Sequence, residues 1–386
     1  LVLHSVEPTL ILLTSGGGHM DDQNKNLILA TVLSFIVILG WFVLFPPPKT
    51  GTPVDGDTTE TAAQTPPGPT APTATVPIGT DTAPVGTSTE TRADSLEQAP
   101  RIPVETARLT GSISLLGGRV DDLMLKDYKT TIDDDAPIVT LLSPAGTEDA
   151  YYALYGWAAG AGIAPEQVPG PNTLWALVEG ETLAVGSPVT MAWDNGAGQV
   201  FSRVISIDEN YMFNIEQSVE NTAENSVTMA PYGIIARHGI PTDAQNFFIL
   251  HEGMVAMNNG ELLETGWEDI PDLDPVNGVP SERIDGVTNG WIGFTGHYFM
   301  TNLIPDPAQA SRLTVKYLPN TDIFQTEAVL PTQTIASGAT ATVTTQLFAG
   351  AKEWEILREY EAKGVYKFID SIDWGWFFFL TKPLFW

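Results

Sequence analysis

The residues in this chain with the types needed for chemistry are few, and their spacing works against it. His251-Glu252 begins as a zinc-protease helix motif does, but Val255 occupies the position of the second imidazole ligand. Asp272, Asp274, Asn277 and Gly278 have the residue types of a calcium loop, yet Val276 stands at a ligand position and the spacing does not fit. The five histidines, at positions 4, 19, 238, 251 and 297, have no ligand companions at metal-site spacing. Asp133-Asp134-Asp135 reads as a solvated turn, and no serine lies in a G-x-S-x-G elbow. Gly16-Gly17-Gly18 lacks the lysine and hydroxyl residue of a phosphate-binding loop. The chain has no cysteine, which excludes thiolate nucleophiles, thiolate zinc sites and disulfides. The expectation is a protein that is not an enzyme and needs no cofactor or metal.

Composition narrows the classes further. The 386 residues carry 47 acidic against 18 basic side chains, a net charge of -29. Such a surface repels nucleic acid and anionic membrane faces, so neither is expected as the main partner. The 43% hydrophobic content is ordinary for a globular protein and permits a sizeable core.

Residues Leu27 to Phe45 form an uninterrupted apolar run without a charge. At about 1.5 Å per residue it matches the hydrocarbon thickness of a bilayer, which predicts a transmembrane anchor. Leu27 and Phe35 belong to its apolar body, while Trp41 and Phe45 lie toward the end where aromatic rings favour the interface. Pro46-Pro47-Pro48 then stops the helix, because proline has no amide to donate. A cleaved signal peptide would need a basic flank and small residues at its end, and neither is present. Residues 1-19 precede Met20, the natural start, and are set apart from fold reasoning.

Residues 46-100 are rich in Pro, Thr, Ala and Gly, and no aromatic residue occurs between Phe45 and Tyr128. That composition predicts an extended, disordered tether. Over 101-350 the pattern changes to short alternating strands. The candidates are Leu109-Leu115, Ile138-Leu142, Thr173-Val178, Pro188-Ala192, Phe201-Ile207, Tyr211-Ser218, Ser226-Ala236, Trp291-Phe294, Leu313-Tyr317, Ile323-Leu330 and Thr340-Phe348. Asp194-Asn195-Gly196 and Asn258-Asn259-Gly260 mark turns between strands. The fold class is mainly β, a sandwich of antiparallel sheets.

Residues 351-376 change character again. Ala351 to Tyr360 is a helix candidate. Beyond Gly364, Val365, Phe368, Ile369, Ile372 and Trp376 recur at helical spacing, which predicts a second amphipathic helix lying on a bilayer. Trp374, Trp376 and Phe377 open an aromatic run that leads through Lys382-Pro383 to Trp386, so 377-386 reads as the start of a second transmembrane helix.

Four of these segments together resemble the YidC family of bacterial membrane protein insertases. They are Met20-Asp21-Asp22-Gln23-Asn24-Lys25-Asn26 running into the anchor, Gly290-Trp291-Ile292-Gly293-Phe294-Thr295, Leu347-Phe348-Ala349-Gly350-Ala351-Lys352-Glu353, and Ile372 through Phe385. The linker and Arg101 to Thr106 are similar to the alphaproteobacterial branch. The resemblance implies a cytoplasmic N-terminus, an inner-membrane location and a periplasmic β-supersandwich of the mutarotase-like type. It implies as partners the Sec translocon with its accessory subunits, ribosome-bound nascent chains, inserting membrane proteins and membrane lipid. The insertase groove of the family would lie beyond Trp386, so the chain is expected to hold the anchor and periplasmic domain without that core. Val365 to Trp376 resembles the family's interfacial helix, with Trp374 and Trp376 at headgroup depth. Lys382 would meet lipid phosphate, and Pro383 would shape the next helix. Two other readings compete: a membrane-tethered module binding a carbohydrate or envelope polymer, and a tethered hydrolase.

Overall fold

The computed structural model describes residues 91–373, apart from 243 and 245–249. The anchor at 27-45, most of the tether and the aromatic run from Trp374 lie outside the described residues. Among those described, no helix is long and apolar enough to cross a membrane.

In chain order the first strands are β1 (Arg101–Glu105), β2 (Leu109–Ser114), β3 (Arg119–Lys129), β4 (Ile138–Leu142) and β5 (Tyr151–Ala159). Then come β6 (Ala176–Glu179), β7 (Val189–Asp194), β8 (Gln199–Ile207), β9 (Met212–Asn221) and β10 (Val227–His238). The middle of the domain holds β11 (Gly253–Asn258), β12 (Glu261–Gly266), β13 (Pro275–Val276), β14 (Val279–Val287) and β15 (Gly290–Thr295). The last are β16 (Phe299–Ile304), β17 (Ser311–Leu318), β18 (Ile323–Val329), β19 (Gln333–Ile335) and β20 (Ala339–Ala351). Helices α1 (Arg92–Glu97) and α2 (Trp354–Ala362) bracket them.

The strands form two sheets. One has eleven strands, ordered β1-β2-β3-β5-β10-β18-β17-β14-β13, with β4 on β3 and β19 on β10. The other has nine, ordered β12-β11-β15-β16-β20-β9-β8-β7-β6. Aromatic rings join the sheets: Trp267 stacks on Phe294 of β15 at 4.8 Å and meets Phe324 of β18 edge-on at 5.3 Å. The expected sandwich is therefore present.

Alternation explains which strands the sequence announces. In β8, Gln199, Phe201, Arg203, Ile205 and Ile207 point inward and their neighbours outward. β5 (YYALYGWAA) is buried on both faces, so it carries no alternation to read. β3 hides behind Asp121 and Asp122, which look like loop residues but are buried in ion pairs with Arg101 and Arg92. Arg203 is likewise buried. It donates to the carbonyls of Gly118 (2.8 Å) and Tyr155 (2.5 Å) and lies 4.7 Å over the Trp175 ring. Gly118 is required there, because its φ is +62° and a Cβ would stand 2.4 Å from the guanidinium.

Two expectations are corrected. The tether does not run disordered to residue 100, since Arg92–Glu97 is helical. Thr91 and Asp94 cap it reciprocally, Ser95 is buried, and Arg92 pairs with Asp122. Nor is 365–373 an amphipathic helix. Gly364 at φ +112° and Lys367 at φ +49° break the chain, leaving one 3-10 turn at Phe368–Ser371. The apolar periodicity is real, but Val365, Phe368 and Ile369 are buried in the domain core.

Candidate functional site

A network of long-range polar contacts surrounds the point where the chain leaves the β domain. β20 ends at Ala351, Lys352 and Glu353 turn the chain, and α2 begins at Trp354. Glu353 is the N-cap of α2, but its side chain makes no cap. Its Oε1 instead accepts from Arg108 (2.6 Å), Tyr211 (2.8 Å) and Tyr128 (3.0 Å). Arg108 also donates to the Tyr211 hydroxyl at 2.8 Å. Burial, reinforced by the Glu353 carboxylate, pushes the Tyr128 phenol up to about 12, so it stays a donor. Gly350 is needed beside this knot, because a Cβ would stand 2.2 Å from the Tyr211 ring.

Helix α2 is held from its other side. The Tyr360 hydroxyl donates to Asp208 at 2.8 Å and accepts the backbone N–H of Tyr211 at 3.1 Å. Burial, with Asp208 adding to it, raises the Tyr360 pKa and keeps that proton in place. Phe368 then fills a socket of Trp291, Phe348 and Tyr360, with centroids at 5.5, 5.2 and 6.3 Å. Backbone is fixed as well as side chains. Trp291 Nε1 donates to the Tyr366 carbonyl (3.0 Å), and Lys367 Nζ to the Gly260 carbonyl (2.9 Å). Glu361 accepts from the Ile369 amide (3.1 Å), and Asp373 from the His251 amide (2.9 Å).

A pocket of about 170 Å³ opens beside Asp373, lined by Tyr128, Leu250, His297, Tyr298, Lys352 and Ile372, among others. Lys352 donates to Thr295 Oγ1 at 3.0 Å. Desolvation pushes its ammonium down to about 8, against the opposing pull of Asp373, Glu252 and Glu264. The arrangement holds the departing chain in one direction; it offers no nucleophile paired with a base and an oxyanion site.

Of the site residues expected from sequence, Phe368 is fully buried and Ile372 is partly buried at the pocket wall. Leu27, Phe35, Trp41, Phe45, Trp374, Trp376, Phe377, Lys382 and Pro383 lie outside the described residues. Arg108, Tyr128, Tyr211, Lys352 and Glu353 were not foreseen, because residues up to 245 positions apart give no local spacing signal. The discounted motifs have structural roles: His251 Nε2 lies 2.8 Å from the Met254 carbonyl, and Asn277-Gly278 makes the β13–β14 turn. Among the described residues no group of three side chains could hold a metal.

The family described as the YidC periplasmic domain matches residues 101–386. The curated membrane protein insertase YidC of Roseobacter denitrificans is 62% identical over 95% of this chain and 60% of its own length. That of Ruegeria pomeroyi is 54% identical over 95% of this chain and 61% of its own. The chain thus spans about three-fifths of these relatives. These relatives carry the name of an insertase, not of a classical enzyme. Among solved structures, a galactose mutarotase related enzyme from Lactobacillus acidophilus is 10% identical, covering 65% of this chain and 97% of that one, with a TM-score of 0.42. A galactose mutarotase-like protein from Lactobacillus casei is 13% identical over 65% and 100%, with a TM-score of 0.40. Likeness at that level says nothing of a sugar site. The family match and the identity to curated relatives decide the matter: the chain belongs to the YidC family, and its β-sandwich is that family's periplasmic domain.

Proposed function

We propose that this chain is the anchor and periplasmic part of an inner-membrane insertase that inserts and folds membrane proteins, alone or with the Sec translocon. Its N-terminus is cytoplasmic, Leu27 to Phe45 spans the bilayer, and the chain crosses again after Trp374. Nascent membrane proteins are its clients, and the ribosome meets regions beyond this chain. The sandwich is of the supersandwich, mutarotase-like type and serves as a scaffold, not as a sugar-binding module. The observation that carries this reading is the 62% identity to a YidC insertase over nearly the whole chain. The clamp around Glu353 and Phe368 fits it, since it fixes the direction in which the chain leaves toward its aromatic run.

The test uses the complete gene product in cells depleted of their own insertase. Restored insertion of a single-spanning client, scored by protease protection, is expected; no restoration overturns the reading. The absence of cysteine makes topology directly measurable. An impermeant maleimide should label Asp134→Cys in intact cells and Gln23→Cys only after permeabilisation. The opposite pattern would reverse the orientation. Saturable binding of glycans to the full chain would favour the carbohydrate-module reading.

A further inference from the structure

The nine-stranded sheet ends in an open edge with an unusual surface. Every residue of β6 is exposed, and among the described residues no strand pairs with its outer side. An open edge presents a row of unpaired backbone N–H and C=O groups, which proteins usually blunt with charge, proline or a cover. Here the edge is apolar as well. Nine large hydrophobic side chains are exposed among the described residues, and four of them, Leu174, Leu177, Val178 and Val185, fall in or beside β6.

The residues flanking the edge are tied down by backbone bridges, Leu174 to Leu116 and Leu183 to Val104. At one end Trp175 is buried under the Arg203 guanidinium, and its amide donates to the Leu115 carbonyl at 2.9 Å. At the other, Leu183 is buried; its amide donates to Pro103, and its carbonyl accepts from Glu105. β6, Ala176–Glu179, lies between these anchors and is paired with β7 through an irregularity at Val178, so the edge is formed before any partner arrives, which lowers the ordering cost of docking.

Charge selects the partner. Residues 130–202 contain nine aspartates and glutamates and no lysine or arginine. Glu179 and Glu181 are exposed at one end of β6, and Asp194 and Glu166 at the other, where Gln167 is tied to Asn195. The nearby cations do not offset them at the surface: Arg203 and Arg119 are buried, with Arg119 donating to the Pro171 carbonyl. A second copy of this acidic edge would be repelled, and an acidic segment likewise.

We propose that β6 is a docking strand for an extended polypeptide segment in which apolar and basic side chains alternate. Backbone hydrogen bonds along the edge supply the pairing, Leu177 and Val178 the apolar contact, and Glu179 and Glu181 the selectivity.

The test is a titration of the full chain in detergent with labelled, end-blocked octapeptides, read by fluorescence anisotropy. An alternating valine–lysine peptide should bind saturably, weaken as salt is raised, and exceed a valine–glutamate peptide at least tenfold in affinity. The double variant Leu177→Ser with Val178→Ser removes the exposed apolar contact and should weaken binding at least tenfold. The double variant Glu179→Lys with Glu181→Lys provides a second arm, and it should narrow or reverse the preference between the peptides. No saturable binding, equal binding of both peptides, or a charge-reversed variant with unchanged preference would overturn the proposal. Dimerisation of the chain through β6 in place of peptide binding would do the same.

Discussion

The carboxylate of Glu353 lies 2.6 Å from the guanidinium of Arg108, although 245 positions separate them in sequence. One residue stands in the β1–β2 turn and the other at the start of α2, so the first hairpin of the domain secures its last helix. Tyr128 and Tyr211 complete the shell on the same oxygen.

Glu353→Ala should leave three donors without their shared acceptor. The expected loss is about 2 kcal/mol of unfolding free energy, since removing one partner strands the others. Denaturant titration of the full chain measures it. A double-mutant cycle with Arg108→Ala should return a coupling of about 1 kcal/mol. Additive single losses would show that the pair does not act as a unit.

Phe368→Ala empties a socket lined by Trp291, Phe348 and Tyr360. The loss should be about 3–5 kcal/mol if felt globally. Before global unfolding it should free 365–373 locally, visible as trypsin cleavage after Lys367 and faster amide exchange at Ile369. Unchanged proteolysis would mean the backbone bonds alone hold this segment.

Arg203→Met keeps much of the apolar stem but removes the donors to the Gly118 and Tyr155 carbonyls. Burial already holds this guanidinium down to about 10, so its charge opposes folding while its hydrogen bonds favour it. The stranded carbonyls should dominate, with a net loss of about 1–3 kcal/mol by thermal or denaturant unfolding. A stability gain would reverse that ordering.

Lys352 gives a pH signature. Its folded-state pKa lies near 8, below about 10.4 in an unfolded chain. Between those values the unfolded state binds more protons, so this group makes stability rise with pH through the interval. Below about pH 8 the penalty is fully present. Lys352→Met should lack the rise, and its advantage over the parent should be largest near neutral pH and shrink by about pH 10. Parallel stability curves for the two proteins would refute this.

The sequence made β4, β8, β9, β10, β18 and β20 legible because one face of each alternates or because β-branched residues cluster. It concealed β5, whose two buried faces erase alternation, and β3, whose aspartates pass for a loop until Arg92 and Arg101 are seen against them. The tail shows the opposite failure. Val365, Phe368, Ile369 and Ile372 have the period of an amphipathic helix, but periodicity reports only that a face is covered, not by what. Here the cover over Phe368 is protein, and two left-handed positions prevent the helix. The Glu353 knot left no signal, since its members come from four segments far apart in the sequence.

One strand touches both ends of the described chain. Asp122 of β3 holds Arg92 at the incoming end, and Tyr128 of the same strand holds Glu353 at the departing end. Six residues of extended backbone separate them, about 20 Å. Tension between the two ends would therefore enter β3 through Asp122 and Tyr128, and at the departing end it would be shared with β15 and the β11–β12 hairpin, which hold Phe368 and Lys367.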